Sequence, residues 1–248
     1  MSSILVTGGT GTLGRPTVLR LQATGHRVRI LSRTAGSQRG PAAPDRVVAD
    51  LTTGAGLAAA VEGTEVIVHL ATSQGRRDVQ QARNLVAAAS GVKHLVVMSI
   101  AGIDRIPLPY YRTKLAVERV AAESGVQFTI LRATQFHNLI DRVLSAQRFF
   151  PAVIAPSVSL QPIAVEDVAV RLAELVDQPP VNGRVPDIGG PERRSVPELA
   201  RVWKQARAAR RPVLPLRLAG KTFRAFADGA AMVDGPAYGR ITFGEYLG

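Results

Sequence analysis

The chain has 248 residues, 46% of them hydrophobic and none of them cysteine. That is enough apolar material for a substantial core, and it excludes a disulfide framework and any thiolate metal site. The formal net charge of +12 and a pI near 11.2 raise nucleic acid or an acidic membrane surface as partners. The arginines are scattered, however, and the one dense run, RVWKQARAARR at 201–211, is interleaved with Val202, Trp203 and Ala206 as on the solvated side of an amphipathic helix. Neither nucleic acid nor a membrane is therefore expected as a partner. The amino terminus, MSSILVTGG, enters a strand-like run with no basic region or cleavage site, so no signal peptide is expected and a cytoplasmic setting fits.

Strand-like runs follow one another in chain order: SILVTG (3–8), RVRILS (27–32), RVVAD (46–50), EVIVHLA (65–71), HLVVMS (94–99) and QFTILRA (127–133). Most are Val/Ile/Leu runs rather than strict alternations, as expected of strands covered on both faces. Between them lie Ala-rich segments such as ARNLVAAAS and KLAVERVAAES, which favour helix. The alternation predicts an α/β fold, a Rossmann-like doubly wound parallel sheet. Its dinucleotide-binding core is expected over 1–150 and a smaller substrate-binding region, interleaved with the core, over 151–248. After residue 150 the chain reads as a Pro-rich surface excursion, FFPAVIAPSVSLQPI.

The first strand runs into VTGGTGTLGRPTVLRL. Gly8, Gly11 and Gly14 permit a tight turn and close backbone approach, so that the amides of a helix start can receive a dinucleotide pyrophosphate; Thr10, Thr12 and Leu13 belong to the same loop. Where an acid would bind the adenosine ribose at the end of the second strand, the chain has Ser32 and Arg33. These suit a 2′-phosphate, so NADP(H) is expected over NAD(H). Asp50 and Leu51 are placed to border the adenine, and Ala71 and Thr72 to line the path toward the nicotinamide. Asp50 reads equally well as a residue at a helix start.

Tyr110 and Lys114, four apart in PYYRTKLAVE, share one helix face. That spacing fits a catalytic pair or an ordinary helix. Thr134, Gln135, Phe136 and His137 follow the sixth strand at the carboxyl edge of the sheet, where open α/β folds bind ligands; His137 also reads as a hydrogen-bonded residue at a helix start. Phe149, with Phe150, Phe223, Phe226 and Met232, is expected to wall an apolar pocket, although such aromatics are more often core. The histidines lack metal-ligand spacing, so no metal site is expected.

The sequence resembles the atypical, NmrA-like short-chain dehydrogenase/reductases over nearly its whole length. The likeness rests on TGGTGTLG, LSR, MSIAGID, YYRTKLAVE, ILRATQFHNLI and PIAVEDVA. It implies a Rossmann domain with a small carboxyl-terminal substrate-binding part and an NADPH-dependent reductase; the aromatic walls suit a small apolar or aromatic substrate, and a monomer or homodimer is expected. It also implies that Tyr110 donates a proton to a substrate carbonyl, that Lys114 lowers the tyrosine pKa and binds the nicotinamide ribose, and that Ser99 orients the carbonyl; Thr134 is expected at the cofactor from its place after the sixth strand. The Asn-Ala-Gly segment of ordinary short-chain enzymes is replaced by LATSQG, which leaves the proton relay that it supports without its usual residue. Relatives that act as redox sensors give the alternative, a catalytically silent NADP(H)-sensing regulator.

Overall fold

The computed structural model describes residues 1–35 and 44–248. In chain order the elements are β1 Ser3–Thr7, α1 Gly14–Ala23, β2 Arg27–Ser32, β3 Asp45–Val48, α2 Leu57–Val61, β4 Val66–His69, α3 Arg77–Ala88, β5 His94–Ile100, α4 Pro109–Ala122 and β6 Phe128–Ala133. They continue with α5 His137–Ser145, β7 Val153–Pro156, β8 Ser159–Leu160, α6 Val165–Asp177, β9 Gly183–Arg184, β10 Arg194–Ser195, α7 Val196–Ala206, β11 Val213–Leu216, α8 Lys221–Ala227 and α9 Phe243–Leu247. All six expected strands are present, with ends that differ by at most two residues.

The main sheet has the order β3-β2-β1-β4-β5-β6-β9. Its strands run parallel: β1 pairs with β2 and β4, and bonds from Leu95 N to Gln127 O and from Ala101 N to Ala133 O advance β5 and β6 together. Every residue of β4 is buried, as are the first six of β5, which is why these runs carry no alternation. On α1 the buried residues Gly14, Thr17, Val18 and Leu21 recur at helical spacing and turn one stripe to the core. The strand order reverses between β1 and β4, the switch point at which doubly wound sheets open a ligand crevice.

The chain divides into two compact units. One comprises Met1–Ser99, Pro109–Arg132 and Val168–Pro186; the other comprises Ile100–Leu108, Ala133–Asp167 and Asp187–Gly248. Within the first, Leu5, Leu31, Ile67, Leu95 and Leu85 belong to one apolar core. The second is organised around side chains that tie distant segments together. Trp203 Nε1 and Arg207 Nη2 both donate to Asp141, at 2.8 and 3.0 Å. Capping boxes at Ser195/Glu198 and Thr242/Glu245 start α7 and α9. Asp167 Oδ2 accepts the amides of Arg240 and Ile241.

The stretch expected as a Pro-rich excursion contains strands instead. Val153 and Ala155 are fully buried on one face of β7, which pairs in parallel with β11. Its partner lies about sixty residues on, so nothing local in the sequence announces the pairing.

Candidate active site

Two glycines set the geometry of the cofactor loop. Gly8 has φ +70°, and a Cβ there would stand 2.8 Å from the amide nitrogen of Ala71. At Gly14 a Cβ would fall 2.0 Å from Gly8 O and 2.6 Å from Gly9 Cα. The first glycine lets β1 turn beneath the end of β4; the second lets α1 begin directly against the loop. A methyl at Gly11, by contrast, would meet only Gly8 O, at 3.2 Å, and the Thr10–Gly11–Thr12 face is exposed. The N-cap Leu13 provides no side-chain cap and the first turn of α1 holds no acid. An uncapped start behind a glycine cradle suits a pyrophosphate through its free amides and positive dipole end.

Around this loop, Arg33 is exposed and Ser32 Oγ accepts the amide of Thr34 at 3.3 Å. Asp50 Oδ1 accepts the amide of Thr52 at 2.7 Å, ordering the turn after β3. It is not the residue that starts a helix, because α2 begins behind Gly56. Leu51 is buried.

A chain of hydrogen bonds links the end of β4 to the first turn of α4. Tyr110 Oη lies 3.0 Å from Thr72 Oγ1, which itself lies 2.5 Å from Asp78 Oδ2. Asp78 also accepts the amide and the hydroxyl of Ser73, each at 2.6 Å. Asp78 is buried, and with three donors converging on it, it acts as a carboxylate acceptor. Thr72 has one hydroxyl hydrogen, and Asp78 takes it. Tyr110 must therefore be the donor in its bond to Thr72. Asp78 was not picked out from the sequence; its signal was an acid in the first turn of the helix following Thr72 and Ser73.

Lys114, one turn along α4, is buried and donates to Met98 O at 2.7 Å, beside Ser99. Burial pushes its ammonium below the usual lysine range, while Asp78 and Glu118 oppose that shift. Glu118, also buried, holds Arg132 in a two-bond pair at 2.9 and 2.7 Å. Burial likewise raises the Tyr110 hydroxyl above its ordinary value, and the Asp78 charge adds to the rise. The lowering of the tyrosine by Lys114 that the family resemblance implied is thus reversed here, because desolvation and a carboxylate prevail and the lysine is bound to a carbonyl. His69, 2.8 Å from Thr7 Oγ1, is pushed down to about 3 by burial and then by Lys114, and so stays neutral. Ser99 Oγ is buried without a protein partner.

Within the second unit, Thr134 Oγ1 is committed to Gln161 O at 2.5 Å. Gln135 is buried with both amide atoms unpartnered, and Phe136 is half-buried just before α5. His137 Nε2 lies 3.0 Å from Ile241 O, and its ring packs 5.5 Å from both Phe243 and Tyr246; bonding to a carbonyl makes Nε2 the donor. That is a structural anchor between α5 and α9. Phe149 is 84% exposed beneath the Arg148 guanidinium, 4.5 Å away, so it walls no pocket here. A shallow cleft lined by Ser90, Lys93, Ser124 and Gln127 opens at the amino ends of β5 and β6, the end of the sheet opposite to the glycine loop. Among the described residues no three His, Asp or Glu side chains are grouped to hold a metal, and no helix is long and apolar enough to cross a membrane.

A family model described as NAD(P)H-binding matches residues 8–179, the span from the glycine loop to just beyond α6. The chain belongs to this NAD(P)H-binding family. Maize (Zea mays) chloroplastic divinyl chlorophyllide a 8-vinyl-reductase is 29% identical over 228 residues, covering 79% of this chain and 57% of that protein. The chain thus spans little more than half the length of that relative and of its rice counterpart, 56% of which is covered. Quinone oxidoreductase 2 of Escherichia coli is 30% identical over 135 residues, 52% of this chain and 47% of that one. Among solved structures, the Escherichia coli NADPH-dependent quinone oxidoreductase complexed with NADPH shares the fold at a TM-score of 0.80, with 20% identity over 98% of both chains. The Citrobacter triphenylmethane reductase complexed with NADP(H) does so at 0.75, with 19% identity over 92% of this chain and 91% of that one. Both likenesses show the same doubly wound fold.

Proposed function

We propose that this protein is an NADPH-dependent reductase of a carbonyl or related double bond in a small apolar or aromatic substrate. The observation that carries the reading is the chain Tyr110–Thr72–Asp78 at the carboxyl edge of the sheet, with Lys114 one turn beyond and Ser99 unpartnered. When bound at the glycine cradle, the reduced nicotinamide supplies the hydride. Tyr110 then gives its hydroxyl proton to the substrate oxygen, Ser99 Oγ orients that oxygen by a hydrogen bond, and Lys114 binds the ribose next to the nicotinamide. The Thr72 bond holds the tyrosine hydroxyl in place until the substrate takes the proton. Burial, with the Asp78 charge adding to it, keeps the tyrosine in its acid form, the form that a reductase needs.

Arg33 and Ser32 are assigned to the 2′-phosphate. Arg33→Ala is expected to weaken NADPH binding roughly 10- to 100-fold, the loss of one charge-assisted hydrogen bond at about 1.5–3 kcal/mol, and to leave NADH binding unchanged. Titration followed by nicotinamide fluorescence checks this; equal losses for the two nucleotides would remove Arg33 from the phosphate site.

Because Tyr110 is raised above its ordinary value of 10.0 by burial and by Asp78, its acid form persists beyond pH 10. The kcat profile for reduction should show no alkaline fall before about pH 10. Asp78→Asn removes a negative charge, lowers the tyrosine pKa, and so should bring the alkaline limb down in pH. A limb that moves upward or stays fixed would detach Asp78 from the tyrosine.

A further inference from the structure

The second unit carries an outward apolar stripe framed by cations. On α5 the residues that face the core are His137, Ile140 and Leu144. The opposite face presents Leu139, Arg142, Val143 and Ala146, all exposed. Turns closed by Arg148 N to Ser145 O and Phe150 N to Gln147 O carry the path on to Phe149 and Phe150, 84% and 55% exposed. The spacing of 139, 143, 146 and 150 is that of one helix face. β7 extends the stripe, since Gln147 binds the backbone of Ile154. Ile154 is itself exposed and stands opposite exposed Leu214 in β11.

The cations are attached to this same surface. Arg148 lies against the Phe149 ring, and Arg211 donates to the carbonyls of Gln147 and Phe150. Residues 201–224 contain eight Lys and Arg and no Asp or Glu. The acid within 139–154 is Asp141, and it is taken up by Trp203 and Arg207. Apolar side chains standing out of a turn, flanked by cations that outnumber the nearby acids, match a surface that is negatively charged outside and apolar just beneath. A second copy would bring the same cations against themselves, and a protein partner would favour recessed anchors over rings projecting from a turn.

We propose that this face is a peripheral docking site for an anionic lipid bilayer, with Phe149 and Phe150 entering the headgroup boundary and the basic run resting on the phosphates. The purified protein should float with vesicles of 30% phosphatidylglycerol in phosphatidylcholine at 0.1 M NaCl and stay unbound with pure phosphatidylcholine. Raising NaCl to 0.5 M should weaken binding severalfold, because screening reaches the basic run. Val143→Ser/Phe150→Ser and, separately, Arg210→Glu/Arg217→Glu should each reduce partitioning at least tenfold. All four side chains are exposed, so thermal unfolding should match the parent protein. No flotation with the anionic vesicles would overturn the proposal. So would binding undiminished in the Val143/Phe150 variant, which marks simple charge adsorption, or a dimer in sedimentation that this variant dissolves, which assigns the face to a second copy.

Discussion

Tyr110→Phe is expected to lower kcat for a responsive carbonyl substrate by two to four orders of magnitude, the usual contribution of a placed general acid. The substitution deletes one oxygen. Thr72 keeps its bond to Asp78 and the ring keeps its half-buried place at the start of α4, so the loss should fall on turnover, with the dissociation constant for NADPH changed less than twofold. Stopped-flow hydride transfer at saturating NADPH separates the two quantities. Unchanged turnover would sink the assignment of the tyrosine. NADPH binding with no turnover of any tested carbonyl by the parent protein would point instead to a nucleotide-sensing regulator.

The largest structural effect should come from Gly14→Ala. The added methyl would stand 2.0 Å from a carbonyl oxygen and 2.6 Å from a Cα of the same loop, both backbone atoms that cannot turn aside. Either α1 moves off β1 or the loop opens. A cost of about 3 kcal/mol is expected for such overpacking, which in a chain of this size lowers the melting temperature by roughly 6–12 °C. NADPH binding should disappear with it. Gly11→Ala is the control: one contact at 3.2 Å leaves stability nearly unchanged, while the methyl on the exposed face of the cradle obstructs the pyrophosphate. If Gly14→Ala melts with the parent protein, the close approach of helix and loop is not what the glycine is for.

The parallel sheet was legible in the sequence because buried strands leave unbroken Val/Ile/Leu runs, and the cofactor loop because tight backbone approach demands glycine. The four-residue spacing of Tyr110 and Lys114 made their shared helix face legible, whereas their role as a pair was implied only by the family resemblance. What stayed hidden depends on contacts between distant segments. β7 and β11 are short and share no local pattern that names them as partners. Asp78 drew no notice in the sequence, and only the fold brings it to Thr72 and, through it, to Tyr110. His137 read equally as site or anchor, because its bond to Ile241 and its packing against the Phe243 and Tyr246 rings exist only in the folded chain. Phe149 read as a pocket wall because apolar character in a sequence does not distinguish inside from outside. The direction of the Tyr110 shift follows from burial, a quantity that spacing does not contain.

The order in which the units draw on the chain bears on how a ribosome delivers this protein. The sheet receives β6 by Ala133, but the strand that covers the outer edge of β6, Gly183–Arg184, is made some fifty residues later. Throughout that interval a row of amides and carbonyls on β6 lacks its neighbour, while the intervening chain belongs mostly to the other unit. An open edge of this kind can capture a strand from another nascent chain. Slow translation between residues 133 and 184 should therefore lower the soluble yield more than the same delay placed after residue 190.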